Sequence, residues 1–360
     1  MKDDEQHWAS PAHISEHHTA YLALKRASLA NQAVSISVRE HALYRSNKYL
    51  YLTILLTEQC NFRCTYCYQS FRDTKLLPAI EAALKAFIHT EYLQGLKHLE
   101  ICWFGGEPTL HTEPVLRLGH WIRAHCPQLV YHASMSTNGY LLNTRLFESL
   151  LAAGVRHYQI SLDGNEQTHN TTRKRRTGAG SFVRIWQNLT AIKRLSGQFG
   201  IDLRLHYHRL NAQDFEQFSA LVEQEFGSDS RFNLVAEAIK NLGGANHKQA
   251  QALKVSHDTS GPKGNRICYA AMPRHLLVYP DGRLGKCTVK LDAPENLVGQ
   301  LHEDGSITLD KARFRNWTRG FSTLDAVELS CPANQSKRVS RHPDSVNPGE
   351  NLIPVVNVVG

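Results

Sequence analysis

Cys60-Asn61-Phe62-Arg63-Cys64-Thr65-Tyr66-Cys67 places three thiols within eight residues, at a C-x3-C-x2-C spacing. Three thiolates on one loop can hold three irons of a cubane cluster. The fourth iron then has no protein thiolate nearby, and an open metal position is where a substrate or cofactor binds directly. Structural zinc is the competing chemistry. It takes four ligands, commonly as paired C-x2-C knuckles, and this group of three fits that pattern poorly. Tyr66, just before the last cysteine, is placed to shield a cluster edge from water. The chain has eight cysteines, and their clustering argues for metal over a disulfide framework. Cys102, inside an apolar run, reads as a core residue, and Cys126 as a bystander before Pro127.

The cysteine loop follows the apolar run Tyr51 to Thr57, which reads as a buried strand. Further strands are expected at His98–Phe104, Leu129–Thr137, Val155–Leu162, Ile201–His206 and Phe232–Ala236. Helical patterns lie between them, at Ile80–Ile88, Glu113–Ala124, Thr144–Ala153, Phe182–Leu195 and Gln213–Phe226. Strand and helix alternate, which is the pattern of βαβ units and a parallel sheet. With right-handed crossovers the sheet curls toward an α/β partial (β/α)6 TIM-like barrel. Chemistry in such folds collects at the carboxyl ends of strands. The cysteine loop, Gly105-Gly106, Asn138-Gly139 and Asp163-Gly164 each follow an expected strand, so they face one mouth.

The expected organisation is a lead-in or cap over 1–48 with a helix near Ala20 to Ala30, the partial barrel over 49–243, a small C-terminal domain over 244–335, and a flexible tail over 336–360. The small domain starts with a linker, Asn246 to Gly264. A β-hairpin follows, with strands at His275–Tyr279 and Arg283–Cys287 and a turn at Asp281-Gly282. Hydrophobic residues make up 42% and charged residues 21%, ordinary for a soluble globular protein. No apolar run is long enough to span a membrane, and the polar, acidic start is not a secretory signal; a cytoplasmic protein is expected. The net charge of +8 is moderate. The one dense basic run, Arg173 to Arg176, has no interleaved aromatic platform, which argues against nucleic acid and for a solvated loop, Arg173 excepted.

Four motifs in register resemble the radical S-adenosylmethionine (radical SAM) superfamily. They are Cys60-x3-Cys64-x2-Cys67, Trp103-Phe104-Gly105-Gly106-Glu107-Pro108, Ser136-Thr137-Asn138-Gly139 and Ile160-Ser161-Leu162-Asp163-Gly164. His169 to Phe182, with Arg173 and Gly178-x-Gly180-Ser181-Phe182, resembles the segment that follows in the peptide-modifying branch, which includes maturases of ribosomal peptides and anaerobic sulfatase-maturating enzymes. The resemblance implies a [4Fe-4S] cluster on Cys60, Cys64 and Cys67 whose open iron is chelated by S-adenosylmethionine. Reductive cleavage then gives a 5′-deoxyadenosyl radical that abstracts hydrogen from substrate. The cofactor carries the hard chemistry; the protein positions it and excludes water.

By the same resemblance, backbone at Gly105, Gly106 and Pro108 approaches the methionine ammonium, and Glu107 adds a counter-charge or fixes the loop. Ser136, Asn138, Ser161 and Asp163 lie around the ribose and carboxylate, and Arg173 pairs with the carboxylate. Cys268, Cys287 and Cys331 resemble the start of SPASM and twitch domains, which bind auxiliary clusters. The expected fourth cysteine falls at Asn334, so one auxiliary cluster with an incomplete ligand set is implied. The implied substrate is a ribosomal precursor peptide or a protein, crosslinked, oxidised or epimerised, with an electron donor such as flavodoxin or ferredoxin. A radical dehydrogenase of a small alcohol or sugar is the runner-up, and a non-catalytic iron- or zinc-binding scaffold is the alternative of another class. No general acid or base stands out by spacing.

Overall fold

The structure, a computed structural model, describes residues 36, 38–254 and 267–334. The helix expected near Ala20 to Ala30, residues 255–264 of the expected linker, and the tail lie outside the described residues. Within the linker, His247–Leu253 forms a helix. No helix among the described residues is long and apolar enough to cross a membrane.

The strands in chain order are β1 (Tyr49–Thr57), β2 (Phe62–Cys64), β3 (His98–Gly105), β4 (Val130–Thr137), β5 (Val155–Leu162), β6 (Arg173–Arg175), β7 (Gly200–Tyr207) and β8 (Phe232–Ala238), then β9 (His275–Val278), β10 (Arg283–Gly285), β11 (Gly299–Leu301) and β12 (Ile307–Leu309). Six of them, β1-β3-β4-β5-β7-β8, form the expected parallel run, joined through helices such as Pro78–Leu93, Glu113–His125 and Phe182–Lys193. The sheet does not stop at β1. The hairpin strand β9 pairs parallel with β1, from Tyr51 opposite His275 to Ile54 opposite Val278. With β10, β11 and β12 it makes one open ten-stranded sheet.

Period-two alternation decides what each face carries. Leu50, Leu52, Ile54 and Leu56 of β1, Ile101 and Trp103 of β3, Tyr158 and Ile160 of β5, and Ile201 and Leu203 of β7 point to the helices and form the main core. Truncating one of these, Leu52 for example, removes a wholly buried side chain, a change that costs about 2–5 kcal/mol. The opposite face carries Tyr51, Thr53, Cys102, Ser134, Ser136, Gln159, Ser161 and Arg204, set side by side by the strand registers. Cys102 therefore leaves the apolar core that the sequence assigned it. It is half-buried on the polar face, hydrogen-bonded to Ser134 and Tyr51, because its neighbours Ile101 and Trp103 take the core parity.

Candidate active site

The cysteine loop rests on the backbone of the next strand end. Gly106 N–H donates to Thr57 O (2.9 Å) and Glu107 N–H to Gln59 O (2.8 Å). Only glycine permits this. A Cβ on Gly105 would lie 2.2 Å from Thr57 O, and one on Gly106 2.2 Å from Gln59 O. The two glycines thus serve first as the bed on which residues 57–59, and so Cys60, are laid.

Glu107 fixes this bed to β4. Its wholly buried carboxylate accepts from Thr109 N–H (3.0 Å), Thr109 Oγ1 (2.6 Å) and Thr137 Oγ1 (2.6 Å) at Oε1, and from Asn138 N–H (2.7 Å) at Oε2. Burial nonetheless pushes its carboxyl above the ordinary value. Pro108 begins the short helix Pro108–Leu110 that Glu107 caps. Asn138 in turn donates through Nδ2 to Asn61 Oδ1 (2.8 Å), inside the cysteine loop.

The basic run is not a solvated loop. Arg173–Arg175 is β6, and it pairs antiparallel with β2, so that Cys64 faces Arg173, Arg63 faces Lys174 and Phe62 faces Arg175. Pairing buries Arg173. Its Nη1 donates to Tyr66 Oη (2.8 Å), and Tyr66 O–H donates on to Asp163 Oδ1 (3.0 Å). Asp163, wholly buried, also accepts from His206 Nδ1 (2.9 Å) and from Thr172 Oγ1 at Oδ2 (2.8 Å). Its main-chain carbonyl accepts from Asn211 Nδ2 (3.0 Å). Tyr66 is therefore a link in a polar hub behind Cys64.

Charge in this hub is settled by geometry. Burial acts to raise the Asp163 carboxyl, but the hydrogen bond from His206 and the nearby Arg173 charge outweigh it, holding it well below the usual carboxylate range. Burial acts to strip Arg173 of its proton, and Tyr66, Cys64 and Asp163 keep it charged. His169 Nδ1 accepts from Asp163 N–H (3.3 Å), so its proton is on Nε2, facing Ser181 Oγ (3.1 Å). Burial, opposed by the Asp163 charge, pushes His169 down to about 3. Burial also takes His275 well below its ordinary value, with the Lys286 charge assisting.

These two neutral histidines set an acid limit. Unfolded, each binds a proton below about 6.5; folded, each resists it. The unfolded state therefore holds more protons as pH falls, and each site removes up to about 1.4 kcal/mol of stability per pH unit below that value. Thermal unfolding of the protein at pH 7, 6 and 5 is expected to show a falling Tm, with a shallower fall in His169→Gln.

The three thiols of the loop stand close enough to feel one another's charge, and burial pushes all three up, Cys64 to about 12 against the opposing Arg173. Loading metal would release their protons. No three His, Cys, Asp or Glu side chains among the described residues converge as ligands of a single ion would. Among the described residues, two buried polar atoms here lack hydrogen-bond partners, Thr65 Oγ1 of the loop and Arg173 Nε of β6 beside it. An unsatisfied guanidinium donor beside Cys64 fits the carboxylate of a small ligand.

The second cysteine set gathers elsewhere, around β9 and β10. Cys287 feels the charge of Cys331, and Tyr269 that of both Cys287 and Cys268. Cys268 N–H donates to Leu329 O (2.7 Å), which draws the helix end before Cys331 to it. Between them lies Lys286, wholly buried, donating to Met272 O (2.7 Å) and His275 O (2.6 Å), with Phe314 4.9 Å away. Burial pulls this lysine down to about 7, with Cys268 opposing. Asn334 closes the short helix Pro332–Asn334.

Of the residues singled out in the sequence, Cys60, Cys64, Cys67, Tyr66, Asp163 and Arg173 come together, and Gly105, Gly106, Glu107, Pro108 and Asn138 support them. Ser136 and Ser161 are half-buried on the polar sheet face, in register with Gln159 and Arg204. Sequence reading missed His206, Thr172, Asn61 and Arg204. Asp202, Arg204 and His206 alternate with Leu203 and Leu205, a period-two signal that β7 turns a polar face to the site.

Residues 54–222 match the family model described as the Radical SAM superfamily. A GTP 3′,8-cyclase of Cyanothece sp. is 39% identical over 120 residues, 32% of this chain and 35% of that one. The Fe-coproporphyrin III synthase of Methanosarcina barkeri is 27% identical over 172 residues, 47% of this chain and 40% of that one. The chain thus spans less than half the length of these curated relatives. Among solved structures, anSMEcpe with bound AdoMet superposes with a TM-score of 0.57 at 18% identity, covering 77% of this chain and 80% of that one. The same protein with AdoMet and the Cp18Cys peptide gives 0.56 at 17%, covering 76% and 82%.

Proposed function

We propose, from the premise that residues 54–222 are a radical SAM domain, a domain that works with a [4Fe-4S] cluster and S-adenosylmethionine, that this chain modifies a peptide or protein by hydrogen abstraction. When bound, the cluster and S-adenosylmethionine together supply that abstraction. Cys60, Cys64 and Cys67 would hold the cluster. The observation that carries the reading is the buried Arg173, charged, beside Cys64, with one donor unsatisfied. Arg173 would take the methionine carboxylate, held in aim by Tyr66 and Asp163. Among the described residues Glu107 Oε2 accepts one hydrogen bond, which leaves it a lone pair for the ammonium. Ser136 and Ser161 would face the ribose. Cys268, Cys287 and Cys331 would hold an auxiliary cluster in a twitch- or SPASM-like region over 244–335.

The peptide is supported by the reach of the fold. The likeness to anSMEcpe extends over about three quarters of this chain, more than residues 54–222 alone make up, and that protein was solved with a bound peptide. A second reading, a small organic molecule, is favoured by the 39% identity to a GTP 3′,8-cyclase, but that match covers 32% of the chain. The two separate by where the hydrogen comes from. Reconstituted, reduced enzyme is incubated with a deuterated peptide mixture, or with deuterated GTP. Deuterium in 5′-deoxyadenosine is expected from peptides alone; label from GTP alone would reverse the choice. Arg173→Met is expected to raise the KM for S-adenosylmethionine about 10–100-fold, the loss of one buried charge-assisted contact, with the iron content unchanged.

A further inference from the structure

The ribbon of β2 and β6 carries more positive charge than folding calls for. Register sets Arg63 directly opposite Lys174, and like charges so placed destabilise a strand pair. Of the cations on β6 and the residue after it, Arg173 faces inward and has Asp163 4.0 Å away. Lys174 and Arg176 are exposed and Arg175 is half-buried; none of these three is in an ion pair among the described residues. Other contacts hold the cations in place without neutralising them. Arg63 Nη1 donates to Cys60 O (2.8 Å) and Phe62 O (2.7 Å), and its guanidinium lies over Phe71 (4.0 Å). Arg175 lies over Tyr140 (4.8 Å).

This positive ribbon is continuous with the metal loop, since Cys64 is the last residue of β2. Beside Arg63 opens a cavity of about 490 Å³, walled by Arg63, Cys64, Thr65, Gln69, Phe71 and Asn246. A partner seated here meets a cysteine of the loop directly, and electron transfer favours a short path. We propose that the β2–β6 ribbon is the docking surface of an acidic one-electron carrier protein. The inference rests on the function proposed above, which needs one electron delivered to the Cys60, Cys64 and Cys67 site. The carrier is oxidised by one electron and the site reduced by one; no bond forms or breaks in the transfer. Opposite charge speeds such encounters by roughly 10–1000-fold and fades with salt.

The test uses the full-length reconstituted enzyme and its Lys174→Glu/Arg176→Glu variant, with formation of 5′-deoxyadenosine as the readout. Each is driven either by reduced flavodoxin, as the acidic carrier, or by dithionite. With flavodoxin at low salt, the variant is expected to be about tenfold slower or more, and added salt to slow the wild type toward it. With dithionite the two proteins are expected to match. Equal rates with flavodoxin would overturn the docking surface. A matching loss with dithionite would also overturn it, as would a loss that appears only as a raised KM for an acidic peptide, which would give the ribbon to substrate. If wild-type enzyme with dithionite never cleaves S-adenosylmethionine, the proposed function fails, and this inference with it.

Discussion

A Cys60→Ala/Cys64→Ala/Cys67→Ala protein, reconstituted anaerobically with iron and sulfide, is expected to form no detectable 5′-deoxyadenosine and to keep about four of about eight irons. The two halves of this result come from two separate places in the fold. The first three cysteines lie on the loop after β1 and on β2, against Arg173 and the Asp163 hub. The second three lie around β9, β10 and the helix end before Cys331, with Tyr269 and Lys286 among them. The two sets adjoin through Tyr68, which feels both Cys67 and Cys287, and substituting the loop thiols leaves that tyrosine and the second three thiols in place. Iron content and the electron paramagnetic resonance of the reduced protein measure the outcome. A variant with no iron would show that Cys268, Cys287 and Cys331 hold no cluster, and one with unchanged iron would move the reactive cluster away from Cys64.

Gly106→Ala is expected to be nearly as damaging, although it removes no ligand. The added Cβ would sit 2.2 Å from Gln59 O and 2.7 Å from Glu58 O. Both neighbours are backbone, so neither can turn aside as a side chain could. Overpacking of this kind costs about 1–3 kcal/mol, and the relief available is to lift residues 58–60 off β3. That movement breaks Glu107 N–H to Gln59 O and displaces Cys60. A displacement of about 1 Å at a reacting centre can cost about 100-fold in rate, and that loss is expected in 5′-deoxyadenosine formation, with lowered iron content. Gly95→Ala is the control. Gly95 has φ +100°, so alanine is strained there, yet its Cβ would meet nothing within 4 Å. It is expected to lower Tm slightly and leave iron and rate unchanged.

Much of this was legible because it is local. The three cysteines, the alternation of strands and helices, and the glycine and aspartate at strand ends follow from spacing and period alone. The six parallel strands therefore stand where the pattern put them, and the hairpin turn at Asp281-Gly282 does as well. What failed was parity and pairing. Cys102 looked like a core residue because it sits among apolar neighbours, but alternation sends it to the other face. The run after Arg173 looked like a loop because the strand it pairs with is about 110 residues earlier in the chain; Lys174 and Arg176 are exposed as expected, but on and beside a strand.

The sequence by itself determined where the candidate chemistry lies, since thiol count, spacing and strand-end motifs are properties of short segments. Tertiary structure alone decided the surroundings of that chemistry. It laid Cys60 on the two glycines that end the next strand, set a buried arginine, tyrosine and aspartate behind Cys64, and drew β9 onto β1 so that the strand before the cysteine loop and the hairpin beside the second cysteine set share one sheet. The reason is physical: a hydrogen-bond register or a Cβ clash joins residues from distant segments, and no periodicity within either segment records it.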